Sequence, residues 1–191
     1  MVHTNDAIAT DVGATDIAYV PSDTVTQGSV TSCSYESFAT RDELKAVIDT
    51  YISSGCNKGA NVCPDITSYY GWPMNSWCVG KVTDMNNLFY GMESFNDDIS
   101  LWDVSRVRDM HWMFYGASSF NGDLSSWDVS KVQSMYYMFN DASSFNQNLC
   151  AWADKNFPYT KAYDIFDGSG CTYQSTPQID QGGPFCASTC N

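Results

Sequence analysis

Apolar and aromatic residues recur along this chain with a fixed period. The clearest copy runs from Phe120 to Ser144 and reads FNGDLSSWDVSKVQSMYYMFNDASS. Five columns keep a step of 25 residues: Trp77, Trp102, Trp127 and Trp152; Met85, Met110 and Met135; Phe89, Phe114 and Phe139; Phe95, Phe120 and Phe145; Asn96, Asn121 and Asn146. A period in this range is typical of a solenoid, in which one supersecondary unit stacks on its neighbours.

The second half of each copy has the spacing of a helix. Its apolar positions follow at intervals of 3, 3, 1 and 3, which indicates one apolar helical face. Ser105 and Ser130 precede two of these faces and fit helix N-caps. The pattern therefore predicts helices near 105–115 and 130–140. The faces are Val82, Met85, Leu88, Phe89 and Met92; Val107, Met110, Met113, Phe114 and Ala117; Val132, Met135, Met138, Phe139 and Ala142.

The first half of each copy favours a very short strand. In FNGDLS, Phe120 and Leu124 lie on one side of an extended chain with polar residues between them. One strand, one tight turn and one helix per copy predict an α/β repeat fold. We expect a short leucine-rich-repeat-like solenoid, with parallel strands on one face and short helices on the other.

Distinct segments flank the repeats. Thr40 and Glu43 form a capping box for a helix over 40–52, which we expect to cover the first coil; a partner-binding helix is the alternative. We divide the chain into a flexible or loosely attached arm (1–31), an N-terminal cap (32–76), three repeats (77–152), and a degenerate repeat with a disulfide-rich C-terminal cap (153–191).

The repeat pattern F-N-x-D-L-S-x-W-D-V-S-x-V-x-x-M-x-x-M-F resembles that of BspA-like leucine-rich-repeat surface proteins. The resemblance covers about 40–190, and it implies an extracellular interaction or adhesion module with no catalytic residue to transfer. The first copy departs from the pattern, since Cys78 and Gly80 replace its aspartate and serine.

Eight cysteines, two histidines and no C-x-x-C pair favour four disulfides over zinc. Disulfides predict an oxidising, extracellular or cell-surface location. We expect a local Cys56–Cys63 bridge and a cluster among Cys150, Cys171, Cys186 and Cys190. No signal segment follows Met1, so either an export signal was removed or the cysteines are reduced.

The formal net charge of −13 on 191 residues limits the classes of partner that the chain is expected to bind. Nucleic acids and anionic membranes are disfavoured because their phosphates need Lys and Arg. No apolar run reaches about 18 residues, so we predict no membrane span. Calcium, basic proteins, neutral glycans and self-assembly are left as possible partners.

The strand face is the predicted binding surface. Strands about 4.8 Å apart would align equivalent residues of successive copies. Two aspartates of this column would repel by about 3 kcal/mol at an effective dielectric near 20. Calcium, a partner's Lys or Arg, glycan hydroxyls, or hydrogen bonds within each turn could offset that repulsion. The predicted binding residues are Asp98, Ser100, Asp123, Ser125 and Asn148.

Other patterned residues have structural interpretations. The asparagine column predicts a ladder between coils, with binding as the alternative. The repeated tryptophans and methionines are expected in the core, since an aromatic sugar platform would need its rings outside. Asp103 and Asp128 are expected to accept hydrogen bonds in turns or at helix starts.

Enzyme chemistry has little support in the sequence. Motifs of hydrolases, zinc proteases and phosphate loops are missing, and His111 has no repeated partner. Asp97 and Asp98 are adjacent, so on a strand they would point to opposite faces and would not form a pair of catalytic carboxylates. Asp164 and Asp167 lack the EF-hand spacing. We therefore expect no cofactor and no bound metal.

The predicted function is a secreted or cell-surface, non-enzymatic recognition or adhesion module that binds a protein or glycan. The alternatives are a calcium-binding structural matrix or assembly component, and a glycan-active enzyme with clustered carboxylates.

Overall fold

A computed structural model describes residues 33–153 and 155–190, which belong to the compact unit Ser32–Asn191. The predicted arm, 1–31, lies outside the described residues. Two α-helices occur in the described part: α1 (Arg41–Ser53) and α2 (Pro64–Tyr70). Short 3₁₀ helices occur at Cys56–Lys58, Ala60–Val62, Met74–Ser76, Cys150–Trp152, Tyr159–Lys161 and Ile179–Gln181.

The predicted α/β solenoid, with parallel strands on one face and helices on the other, is wrong. Residues 33–153 and 155–190 contain no β-strand, and their β-type pairing is limited to isolated bridges. The segments 105–115 and 130–140 consist of turns around a single bridge residue. Trp112 and Tyr137 have φ values of 55° and 54°. A right-handed helix cannot continue through this left-handed conformation.

Ser105 and Ser130 are consequently not helix N-caps. Their backbone N–H groups donate to the Oδ1 atoms of Asp103 and Asp128, each at 3.1 Å. The two aspartates therefore accept hydrogen bonds within turns, which confirms the prediction made for them.

Backbone hydrogen bonds join successive copies without forming a sheet. Alternate N–H groups of one copy donate to carbonyls of the next, while amides between them close local turns such as Leu88 to Met85. The donors lie in each case near the left-handed residues. The first set runs from Met85, Asn87, Phe89 and Gly91 to Asp109, His111, Met113 and Tyr115 at 2.8–3.1 Å; equivalent sets follow from Met110, Trp112, Phe114 and Gly116, and from Met135, Tyr137, Phe139 and Asp141.

The predicted burial pattern is correct although the predicted helices are not. Val107, Met110 and Met113 are fully buried, as the helical spacing required. Equivalent phenylalanines stack along the array, with Phe89 and Phe114 rings 5.2 Å apart and Phe114 and Phe139 rings 5.3 Å apart. Tight turns, and not a helix, thus bring the regularly spaced apolar side chains into the core.

The repeated tryptophans are in the core, as expected. The indole Nε1 of Trp102 donates to the carbonyl of Met74 at 2.9 Å, and that of Trp127 donates to Ile99 at 3.2 Å. Trp152 repeats this bond to Leu124 at 3.0 Å. Each ring thereby satisfies its only donor inside an apolar core.

Helix α1 packs against the start of the array. Thr40 Oγ1 accepts a hydrogen bond from Glu43 N at 3.2 Å, as the capping box predicted. The buried Tyr51 ring meets Trp77 edge-on at 5.2 Å. Arg41 Nε donates to the carbonyl of Asn86 at 3.0 Å, at the open edge of the first copy.

Four disulfides join the cysteines. Cys56–Cys63 confirms the predicted local bridge. The four cysteines of the predicted C-terminal cluster pair as Cys150–Cys190 and Cys171–Cys186. Cys33–Cys78 is the fourth bridge. In the part of the chain that the structure describes, no helix is both long and apolar enough to cross a membrane.

Candidate functional site

The predicted binding residues form a polar row: Asp98, Ser100, Asp123, Ser125 and Asn148, at equivalent positions of successive copies. Each acidic or amide side chain of the row is engaged in its own turn. Asp98 Oδ1 accepts from Ser100 N and Asp123 Oδ1 from Ser125 N, both at 2.9 Å. Asn148 Oδ1 accepts from Cys150 N at 3.0 Å. These side chains therefore have structural roles, and a binding role for the row stays a prediction.

The asparagine column forms a ladder beside the polar row. The Oδ1 atom of Asn96 accepts from Asn121 N at 2.9 Å, and that of Asn121 accepts from Asn146 N at 3.0 Å. Asn146 Oδ1 accepts in turn from Thr172 N at 3.1 Å. The predicted ladder is thus present, with each side-chain carbonyl bound to the backbone of the following copy.

A surface groove on the turns was not predicted from the sequence. This aromatic groove has a volume of about 440 Å³. Its two most prominent side chains are Tyr90, which is 50% exposed, and Trp112, which is 40% exposed. The repeated tryptophans, in contrast, are buried. The groove is lined by Asn87, Tyr90, Trp112, Tyr115 and Tyr137.

The rings of the aromatic groove are arranged in two ways. Tyr90 and Tyr115 stack with centroids 5.0 Å apart and planes 8° from parallel. Trp112 and Tyr137 have centroids 6.4 Å apart and planes tilted by 36°. Both pairs come from equivalent positions of neighbouring copies, so the repeat places the side chains next to each other, and the residue type in each copy makes the groove aromatic.

Carboxylates accompany the tyrosine hydroxyls around the aromatic groove. The negative charge of Asp141 is the largest cause that raises the pKa of Tyr115 above its usual range. Next to Tyr137, the pKa of Tyr163 is raised first by the charge of Asp164. None of the five lining residues is a lysine or arginine. The groove is therefore aromatic with an acidic surrounding.

His111 adjoins this groove. It lies in a turn, within the segment 105–115 for which the sequence predicted a helix. Its Nδ1 atom is 2.7 Å from Asp109 Oδ1, and its ring meets Trp112 at a centroid distance of 5.1 Å. The histidine thus supports the position of Trp112.

A second cleft lies where α1 meets the first copy. Asp97 and Asp98 both line this cleft of about 260 Å³, contrary to the expectation that they face opposite sides of a strand. Asp97 Oδ2 is buried without a hydrogen-bond partner. Burial raises the pKa of Asp97, and the neighbouring Asn57 amide partly opposes the shift. Burial, followed by the charge of Asp97, raises the pKa of Tyr51 to about 12.

The aromatic groove had a sequence signal that we did not use. Trp112, Tyr115 and Tyr137 fall on the polar side of the predicted helices, where large aromatic residues are unexpected. A count of exposed aromatic positions per copy would have marked them as candidates for binding. The core columns recur in every copy, whereas the residues of the groove vary between copies.

Comparison with known proteins gives a family match. Residues 61–177, more than half of the chain, match the model of a family described as Mycoplasma protein of unknown function, DUF285. Searches of curated proteins and of solved structures found no match.

Proposed function

We propose that this chain, which belongs to the DUF285 family of Mycoplasma proteins of unknown function, is an extracellular recognition module without catalytic activity. The observation that carries the proposal is the aromatic groove. The narrower resemblance to BspA-like surface proteins supports the same role, and the four disulfides support an oxidising location.

Stacking between copies uses only part of the ring surface in the aromatic groove, and the rest is exposed to water. The buried columns and the asparagine ladder account for the stacking of the copies. Leaving a large ring in water forgoes about 25 cal/mol for each Å² of apolar surface that burial would remove. Tyrosine and tryptophan are also the residue types enriched in recognition surfaces and their hot spots. Binding is therefore the role that best explains Tyr90 and Trp112 at the surface.

The polar row is the weaker candidate for the contact surface. Asp98 uses Oδ1 for Ser100 N and Oδ2 for Asn75 Nδ2, the latter at 2.7 Å. A partner would have to compete with these internal hydrogen bonds. The aromatic groove offers ring surface that its own turns do not use, and we therefore propose it as the main contact surface.

The proposal is tested with the tagged chain on arrays of immobilised glycans, basic peptides and extracellular-matrix proteins. We expect the wild type to bind at least one class, and Tyr90→Ala with Trp112→Ala to reduce binding by at least about tenfold, a loss of about 1.4 kcal/mol. Leu101→Ala is the matched control, because Leu101 is an apolar side chain that is 76% exposed outside the groove. All variants must keep the wild-type circular dichroism spectrum and melting temperature.

A parallel variant separates the two surfaces. Asp98→Asn with Asp123→Asn removes two charges and keeps both Oδ1 acceptors of the turns. We expect binding to persist in this variant. Loss of binding here, with retention in the groove variant, would transfer the contact surface to the polar row. A melting temperature raised by millimolar calcium, and not raised in this variant, would support the alternative of a calcium-binding matrix component.

A further inference from the structure

We propose that the aromatic groove binds a neutral saccharide, and this inference rests on the recognition function proposed above. A sugar ring is amphipathic: one or both faces present C–H groups, and its edge carries hydroxyls. The groove combines residues suited to both features, since four aromatic side chains and one asparagine line it.

The size of the groove favours a small ligand over a protein surface. Its volume of about 440 Å³ falls inside the range of about 300–1,000 Å³ that is typical of small-molecule sites. A stable protein interface buries about 800 Å² on each partner and extends over 20–30 residues a side. One or two sugar rings match a groove that five residues line.

The two ring pairs offer different surfaces to a ligand. Tyr90 and Tyr115 are nearly parallel at 5.0 Å, so each covers one face of the other, and the Tyr115 hydroxyl is hydrogen-bonded to Asp141. Trp112 and Tyr137 are tilted by 36° at 6.4 Å, which leaves part of their faces uncovered. The first pair thus supplies hydrogen-bonding groups, and the second supplies apolar faces for C–H contacts.

Polar groups at the groove suit hydroxyl donors. Asn87 Nδ2 donates to Asn86 Oδ1 at 2.9 Å, and its own carbonyl can accept a hydrogen bond. The carboxylate of Asp141, whose charge acts on Tyr115, adds a further acceptor beside the groove. Carboxylates would repel uronic acids, sialic acids and sulfated sugars. The ligand class is therefore a neutral saccharide.

The geometry also disfavours a quaternary ammonium ligand. An aromatic cage places several ring faces around the cation. Here the planes of Tyr90 and Tyr115 differ by only 8° and their faces meet each other. Each of these two rings therefore has one face covered by the other, which leaves fewer ring faces for a cation than an aromatic cage offers.

The test uses isothermal titration calorimetry and saturation-transfer NMR with defined neutral disaccharides: cellobiose, maltose, lactose and N,N′-diacetylchitobiose. A uronic-acid disaccharide, choline and a lysine-rich peptide are measured in parallel. We expect at least one neutral disaccharide to bind, with its C–H protons saturated by the protein. Binding should exceed that of the acidic sugar and of choline by about tenfold, which is about 1.4 kcal/mol.

The key variant is Trp112→Asn combined with Tyr137→Asn. Asparagine tolerates left-handed backbone, and Asn87 occupies the equivalent position with φ 55°. The variant therefore removes both rings while the turns keep their conformation. We expect saccharide affinity to fall by at least tenfold, and Leu101→Asn to leave it unchanged.

The outcomes separate this inference from the proposed function. If the peptide or choline binds through the groove and no neutral saccharide does, the saccharide assignment is overturned and recognition through the groove stands. If saccharides bind equally to wild type and to the Trp112→Asn, Tyr137→Asn variant, the assignment to the groove is wrong. If the groove variants alter binding to none of these probes or arrays, both proposals fail.

Discussion

Asp97 is distinguished among the described residues by a buried carboxylate oxygen that lacks a hydrogen-bond partner. Its other carboxylate oxygen is 3.5 Å from Asn57 Nδ2. Burial disfavours the charged form and raises the pKa of the folded state. Since Asp97 lies between α1 and the first copy, its ionisation acts on the junction of these two parts.

The stability of the protein should therefore depend on pH through Asp97. Between the unfolded pKa of about 3.9 and the raised folded pKa, the folded state binds more protons than the unfolded state. The free energy of unfolding then falls as pH rises through this window. We expect Asp97→Asn to be more stable than wild type at pH 7, with the difference shrinking as pH falls toward 3.9.

Urea denaturation of wild type and Asp97→Asn between pH 3 and pH 7 measures this dependence. Asp123→Asn is the control, because Asp123 is exposed and asparagine keeps the acceptor for Ser125 N. Parallel pH profiles for wild type and Asp97→Asn would contradict the assignment.

At the scale of the element, paired left-handed positions give each copy its turns. The first lies at Asn87, Trp112 and Tyr137, and the second lies four residues later at Gly91, Gly116 and Asp141. Glycine and asparagine mark some of these positions in the sequence. Tryptophan and tyrosine give no such mark, so their helical spacing predicts a helix that the backbone does not form.

The same contrast explains which parts of the fold were predictable. Burial of Met110, Met113 and Phe114 follows from spacing, because tight turns and a helix can both bring such residues to one side. The chain conformation between them does not follow from spacing. The aromatic groove was missed for this reason, since its rings lie on side chains whose direction depends on the turns.

A substitution at Gly116 tests the role of these turns. Gly116 has φ 66°, and a Cβ built there meets no atom closer than Gly91 Cα at 3.8 Å. Any decrease in the free energy of unfolding caused by Gly116→Ala is therefore due to backbone strain, and we expect it to be about 1–2 kcal/mol. Gly116→Asn should lose less, because asparagine tolerates this conformation and Asp141 adopts it in the next copy.

Equilibrium urea unfolding of the two Gly116 variants gives both values. Equal stabilities for the alanine and asparagine variants would show that left-handed backbone is not the limiting feature of the turn. A lower free energy of unfolding for Gly116→Asn than for Gly116→Ala would lead to the same conclusion.

At the scale of the whole molecule, the disulfides are confined to the two ends of the repeat array. Cys33–Cys78 and Cys56–Cys63 lie at or before the start of the first copy, and Cys150–Cys190 and Cys171–Cys186 begin two residues before the last tryptophan, Trp152, or after it. The copies between them are held by stacked rings and backbone hydrogen bonds. Covalent and non-covalent stabilisation are thus divided along the chain.

Reduction should therefore loosen the ends before the middle. We expect tris(2-carboxyethyl)phosphine to increase amide hydrogen exchange in 33–78 and 150–190, with the amides of Met110, Phe114 and Gly116 still protected. Local opening with separate free energies produces such a gradient. Mass spectrometry of peptic fragments measures it, with the oxidised chain as reference. Simultaneous loss of protection in all segments would indicate a single cooperative unit.

The hydrogen bonds between copies join equivalent residues, and this has a consequence for how such proteins can lengthen. An in-frame duplication of the copy from Phe120 to Ser144 would present the same donors to the copy after it and the same acceptors to the copy before it. Each added copy would bring one more equivalent of Tyr137, and an equivalent of the buried Asn140 at the position of Tyr90 and Tyr115. The number of copies can therefore change without any change at the two disulfide-bonded ends.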